Sequence, residues 1–108
     1  MKKIVEIFKV LGEENRLKIT LILKEKPMCV CEIKEVLDIA MSTLSAHLKI
    51  LKLAGVIEDY KRGRWIEYRV SNNPLIETLI KEIQKELISD NNYLEIINKA
   101  KNTQILPR

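Results

Sequence analysis

Two thiols one residue apart are the most reactive feature of this chain. Cys29-Val30-Cys31 holds both of its cysteines. Thiolates at this spacing suit two tasks, gripping a soft metal or metalloid ion or thiol redox chemistry. Residues two apart point to nearly opposite sides of a helix, whereas in extended backbone they share a face. Two sulfurs on one ion therefore require the start of the local helix to unwind, so ion binding competes with regular helix. A nearby helix N-terminus favours the thiolate, the form that binds metal. The plain alternative is a pair of idle cysteines, since free Cys is often a small core hydrophobe. A disulfide between residues two apart is strained.

Residues 28–55 carry two short helical patterns, the first of which opens with Cys29-Val30-Cys31. Val30, Ile33, Val36 and Leu37 repeat at the three- and four-residue spacing of one helix face. Met41, Leu44, Leu48, Leu51 and Leu53 form a second row, and Gly55 supplies the left-handed residue that commonly ends a helix. Two short helices joined tightly, the second polar at its start, describe a helix-turn-helix. Ala40 stands where Ser, Thr or Asp would cap better, with Ser42 as the alternative cap. After Gly55 the period becomes two: residues 56–61 and 64–70 read as strands around Arg62-Gly63. A basic hairpin over 56–70 directly after a helix-turn-helix is a wing.

That arrangement points to DNA. The first turn of the second helix reaches base edges in the major groove, which selects Met41, Ser42, Thr43, Ser45, Ala46 and His47. Met41, Thr43 and Ala46 suit thymine methyls. No Arg or Lys stands in that turn to grip guanine, so specificity leans on A/T-rich sequence and DNA shape. Lys49 and Lys52 on the helix, with Lys61, Arg62 and Arg64 at the wing tip, supply phosphate contacts. His47, the one histidine, reads as a DNA contact or surface group rather than a metal ligand.

Helical patterns flank this centre. Residues 3–11 carry Ile4, Ile7, Phe8 and Leu11 on one face and stop at Gly12. Glu13, Glu14 and Asn15 begin the next helix, whose buried row is Leu17, Ile19, Thr20, Leu21 and Leu23, and Pro27 bars continuation. Beyond the turn at 71–74 lies an apolar stripe of Leu75, Ile76, Leu79, Ile80, Ile83, Leu87 and Ile88. It continues through Leu94, Ile96 and Ile97. So small a domain has limited core to cover that stripe. The reading is a subunit interface formed by Ile4, Ile7, Phe8, Leu79, Ile83 and Leu87, with intramolecular packing as the alternative. Residues 102–108 are expected to fray.

With 108 residues, 46% hydrophobic and 31% charged, the chain is one ordinary globular domain spanning 1–108. Its net charge of +4 fits a polyanion partner. Glu6 and Lys9 interrupt the N-terminal apolar residues, and no run is long enough to span a bilayer, so a cytoplasmic protein without a membrane partner is expected. There is no Ser/His/Asp set, glycine-rich phosphate loop or recognisable carboxylate pair; an enzyme is not expected.

IFKVLGEENRLKITLIL, MCVCEI, MSTLSAHLKILKLAGVI and KRGRWIEYRVS together resemble the ArsR/SmtB family of winged-helix transcriptional repressors, in the right order over almost the whole chain. The resemblance implies a mainly α fold with a β-hairpin wing, dimerised through its N- and C-terminal helices. It further implies a repressor that holds double-stranded operator DNA, with no cofactor, until a metal or metalloid weakens its grip. MCVCEI is similar to the Cys-Val-Cys box of the arsenic- and cadmium-sensing branch, which makes Cys29 and Cys31 the metal ligands. As(III) species are the first candidate effector, and Cd(II) or Pb(II) the next. The family's third arsenic-binding Cys is here Lys34, and a protonated amine is not a ligand. The zinc-sensing branch is departed from as well: Asp90 remains, but Asn92 stands where a His is wanted. A regulator that senses thiol redox state, or one with no metal effector, stays open beside this reading.

Overall fold

The computed structural model describes residues 1–105. In chain order the elements are α1 (Lys2–Leu11), α2 (Glu14–Glu25), β1 (Met28–Cys29), α3 (Val30–Val36) and α4 (Met41–Leu53), then β2 (Ile57–Arg62), β3 (Trp65–Val70), α5 (Pro74–Glu86) and α6 (Asn91–Asn102). The fold is a winged helix-turn-helix: α3 and α4 are the paired helices, and β2-β3 is the wing of an antiparallel sheet ordered β1-β3-β2.

The core is built around α2. Ile19, Thr20, Leu21, Ile22 and Leu23 are all buried, because α1, α4, α6 and β3 pack against this helix from different sides. A helix covered all round needs no polar face, so its apolar residues form a run rather than a stripe. Thr20 is tolerated there because its hydroxyl donates to the Arg16 carbonyl at 2.9 Å. Glu13 caps the helix, its carboxylate accepting from the Arg16 N–H at 2.9 Å. Ile33, Leu44, Leu48 and Leu51 bring α3 and α4 onto the same core, joined by Ile76 and Ile80 of α5.

Two glycines turn the chain. Gly55 has φ +79°, which lets the chain leave α4 and enter β2. Ser71 then ties the far end of the hairpin back, its hydroxyl donating to the Gly55 carbonyl at 2.7 Å. At the wing tip Arg62 pairs with Trp65 across a two-residue loop. Gly63 has φ +62° and, among the described residues, no other residue type takes positive φ, the pattern of a type II′ turn.

Several expectations are corrected. The first helix of the motif does not open at Cys29: Met28 and Cys29 pair with Tyr68 and Glu67 of β3, and helix begins at Val30. Two residues between Pro27 and a helix are too few for alternation to show. Leu53, expected in the buried row of α4, is 78% exposed. It lies two residues from Leu51, about 200° around the helix. Met41 is also exposed. Ser42 does not cap α4; Ala40 is the N-cap, with no side-chain bond. The tail does not fray where expected: Asn102 ends α6, and Thr103 and Ile105 are held by hydrogen bonds to Lys26 and Glu32. The rest of that expectation, residues 106–108, lies outside the described residues.

The expected interface residues divide. Ile7 is in the core of the single chain, and Leu79, Ile83 and Leu87 are half-buried against that core. Ile4 and Phe8 are exposed on α1. No helix among the described residues is long and apolar enough to cross a membrane.

Candidate nucleic-acid interface and thiol pair

Helix α4 presents two faces. Leu44, Leu48 and Leu51 are buried, and Ser42, Ala46, Lys49 and Leu53 recur on the opposite, exposed side. Met41, Thr43 and Ser45 flank them, also exposed. Six of the eight expected helix contacts are therefore gathered on the outward part of α4.

The other two, His47 and Lys52, are engaged within the chain. His47 is half-buried, with Nε2 3.8 Å from Glu13 Oε1 and Nδ1 3.4 Å from Arg16 Nη1. Its position explains this: it comes three residues after Leu44 and four before Leu51, on the flank of the buried row. His47 thereby docks α4 onto the start of α2. Lys52 Nζ lies 2.9 Å from Asp59 Oδ2, joining α4 to β2. The hydrogen bond to Asp59 raises the pKa of this lysine.

The wing carries a buried carboxylate. Glu67 is 4% exposed and receives Arg62 Nη1 at 3.1 Å on one oxygen and Arg69 Nη2 at 3.3 Å on the other. Arg69 lies 4.2 Å over the Tyr60 ring, and Arg64 lies 5.9 Å from the Trp65 ring centre. Arg62 is thus held along the hairpin rather than projected from its tip. Lys61 and Arg64 have no carboxylate partner among the described residues. Sequence reasoning missed Glu67 and Arg69. Their strand alternates regularly, and that alternation does not foretell that β3 is the central strand or that Arg62 and Arg69 close on Glu67.

Both thiols are free, Cys29 buried and Cys31 exposed. Cys29 is the N-cap of α3, with extended backbone at φ −82° and ψ 168°. Burial pushes its pKa above the ordinary 9.0, the nearby Glu32 and Cys31 charges add to this, and their backbone N–H groups oppose it. The folded state therefore holds the Cys29 proton more tightly than the unfolded chain does. Its stabilising contribution is present below about pH 9 and fades as pH rises through the raised folded value. The same shift would weigh against any ligation by Cys29, because an ion has to displace the proton. Apparent affinity for a thiophilic ion is expected to rise with pH from 6 to 8, by up to about tenfold per unit for each proton displaced. Calorimetric titration at three pH values measures it, and a flat profile would mean that no thiol proton is displaced, which would overturn thiolate ligation.

Among the described residues no group of three or more His, Cys, Asp or Glu side chains could hold a metal. Lys34, at the position of the absent third thiol, lies 3.7 Å from Asp38. Asp90 caps α6, accepting from the Tyr93 N–H at 3.0 Å. What the region offers an ion is two sulfurs, one facing in and one facing out.

Residues 13–59 match the family described as bacterial regulatory protein, arsR family. The arsenical resistance operon repressor of Escherichia coli is 40% identical over 68 residues, covering 62% of this chain and 58% of that protein. The cadmium resistance regulatory protein CadC of Listeria innocua is 37% identical over 73 residues, covering 67% of this chain and 61% of that protein. The chain thus spans about three fifths of these two relatives. An uncharacterized HTH-type transcriptional regulator of Methanocaldococcus jannaschii, MJ1325, is 40% identical over 85 residues, covering 78% of this chain and 90% of that protein. Among solved structures, the homodimeric winged helix-turn-helix DNA-binding domain of Mycobacterium bovis Mb0332 superposes with a TM-score of 0.71 at 24% identity. It covers 84% of this chain and 82% of that one, and it shares the fold.

Proposed function

The chain belongs to the ArsR/SmtB family of helix-turn-helix transcriptional regulators, and from that premise we propose that it is a metal-responsive repressor. It binds operator DNA as a homodimer and is released when a thiophilic ion is held by Cys29 and Cys31. The observation that carries this reading is the position of the thiols: Cys29 caps α3, the helix on which α4 rests. DNA binding falls to Ser42, Thr43, Ser45, Ala46 and Lys49 on the outward face of α4, with Met41 beside them and Lys61 and Arg64 on the wing. The N-terminus of α4, without a side-chain cap, offers backbone N–H groups to a phosphate.

The switch is local. Cys29 is already extended, so only Val30 and Cys31 need leave the helix for the second sulfur to reach the face of the first. Unwinding that turn disturbs the packing of α3 on α4 and shifts the reading helix. Two sulfurs satisfy a methylated arsenical outright. Arsenite would need a third ligand from water or a small-molecule thiol.

The experiment is fluorescence anisotropy of the reduced protein on DNA from upstream of its own gene, with arsenite, methylarsenite, cadmium or zinc added in turn. Release by a thiophilic ion at low equivalents supports the reading. Tight binding that no ion disturbs sinks metal sensing, and release by oxidant alone favours the redox alternative. Salt dependence tests the wing. Replacing Lys61 or Arg64 by Ala is expected to weaken binding uniformly across sequences. The slope of log affinity against log salt should fall by about one for each phosphate no longer neutralised. An unchanged slope would take the wing out of the interface.

A further inference from the structure

Glu32 is wholly buried, and both of its oxygens are committed. Oε1 accepts the Cys29 N–H at 3.1 Å and closes the capping box at the start of α3. Oε2 accepts the Ile105 N–H at 3.1 Å, so one carboxylate joins a thiol residue to chain that lies 73 residues beyond Glu32. Two more contacts hold the same stretch down. Lys26 Nζ donates to the Thr103 carbonyl, and Lys101 Nζ is 3.9 Å from Glu25 Oε1. Residues 101–105 therefore run beside 25–32, the segment that leads into the thiol pair. Cys29 is only 2% exposed in this arrangement.

We propose that residues 103–105 are a strap: latched by Glu32 and Lys26, they keep the first turn of α3 closed, and they must let go before a reagent or ion reaches Cys29. The physical reason lies in Glu32. Its carboxylate is buried and depends on the N–H groups it accepts, so the cap and the strap share one set of bonds. When Val30 and Cys31 leave the helix, the turn that places Glu32 beneath the Cys29 N–H is lost, and the bond to Ile105 loses its fixed acceptor. Coupling of this kind is reciprocal. Filling the thiols loosens the strap, and removing the strap opens the thiols. That the strap brakes effector entry rests on the function proposed above; the latch itself does not.

The test follows one thiol. In a Cys31→Ser background, Cys29 reacts with an aromatic disulfide reagent whose released thiolate is read by absorbance. When reclosing is fast, the rate reports the fraction of molecules open at that site. A chain ending at Asn102 loses both latches and is expected to react at least about tenfold faster than the full chain, tenfold being the lower end of the loss expected for one hydrogen bond to a charged group. Lys26→Ala, which keeps the chain at full length and removes the part-buried bond to the Thr103 carbonyl, is expected to react a few times faster, roughly the effect of one hydrogen bond. Glu32→Gln retains an acceptor for one N–H but not both, and should fall with the shortened chain. Equal rates in the full and shortened chains, with superimposable far-UV circular dichroism, overturn the strap. If the shortened chain does not fold, Lys26→Ala decides in the same way. A faster thiol in a chain that ignores arsenite would leave the strap standing and sink the effector reading alone. Arsenite release with no change in thiol rate would sink the strap alone.

Discussion

A Cys29→Ser/Cys31→Ser double variant is expected to hold operator DNA as the wild type does and to lose its response to arsenite. The choice of serine follows from the structure. Cys29 is the N-cap of α3, and a serine hydroxyl caps at least as well as a thiol. The variant therefore removes the soft ligands without uncapping the helix. Alanine would remove both, and an altered response could then reflect a frayed helix. Allosteric coupling between two sites is typically about 1–3 kcal/mol, or roughly 5- to 150-fold in affinity. Wild-type affinity should fall by a factor in that range at saturating arsenite, while the variant shifts less than about twofold. Full release of the variant would end the claim that these thiols sense the ion.

The second large effect is on stability. Leu44 is fully buried between residues whose side chains are exposed. Leu44→Ala removes its packing against the core and leaves a cavity, a change that costs about 2–5 kcal/mol. A domain of this size has about 5–15 kcal/mol to lose, so Tm should drop on the order of 10–25 °C. Leu53→Ala on the same helix is the control. Leu53 is 78% exposed, and its removal should leave stability within about 0.5 kcal/mol. Thermal unfolding followed by circular dichroism separates the two, and similar midpoints would mean the faces of α4 are wrongly assigned.

The contrast between these leucines shows what can be read from the chain. Leu44, Leu48 and Leu51 stand out because their spacing matches the helix, and the alternation through Trp65–Val70 marks the wing as plainly. Hydrophobicity alone draws Leu53 into the buried row, although helical geometry sends it outward. Polarity alone makes His47 a surface group, yet it faces Glu13 and Arg16 at the start of α2. No local pattern near His47 foretells those partners, which lie some thirty residues earlier in the sequence. Strand β1 escapes for a different reason: it is two residues long and owes its existence to β3. With β1 unseen, neither the central place of β3 nor the extended backbone at Cys29 can be inferred. The residues expected to touch DNA need only surface position, and most of them have it. Those whose partners come from distant segments, such as Glu32 with Ile105, are beyond the reach of periodicity.

Trp65 is the only tryptophan of the chain, half-exposed at the wing, with the Arg64 guanidinium 5.9 Å from its ring centre. It also begins the strand that pairs with Cys29 through Glu67. The protein therefore carries its own optical label at the place where the proposed wing contact to DNA and a thiol-linked strand meet. Emission from a single indole needs no dye and no mixture of signals to resolve. A spectral shift on adding an ion to the protein alone would mean the hairpin has responded before any DNA is present. Silence until DNA is added would put the communication in the complex rather than in the free chain.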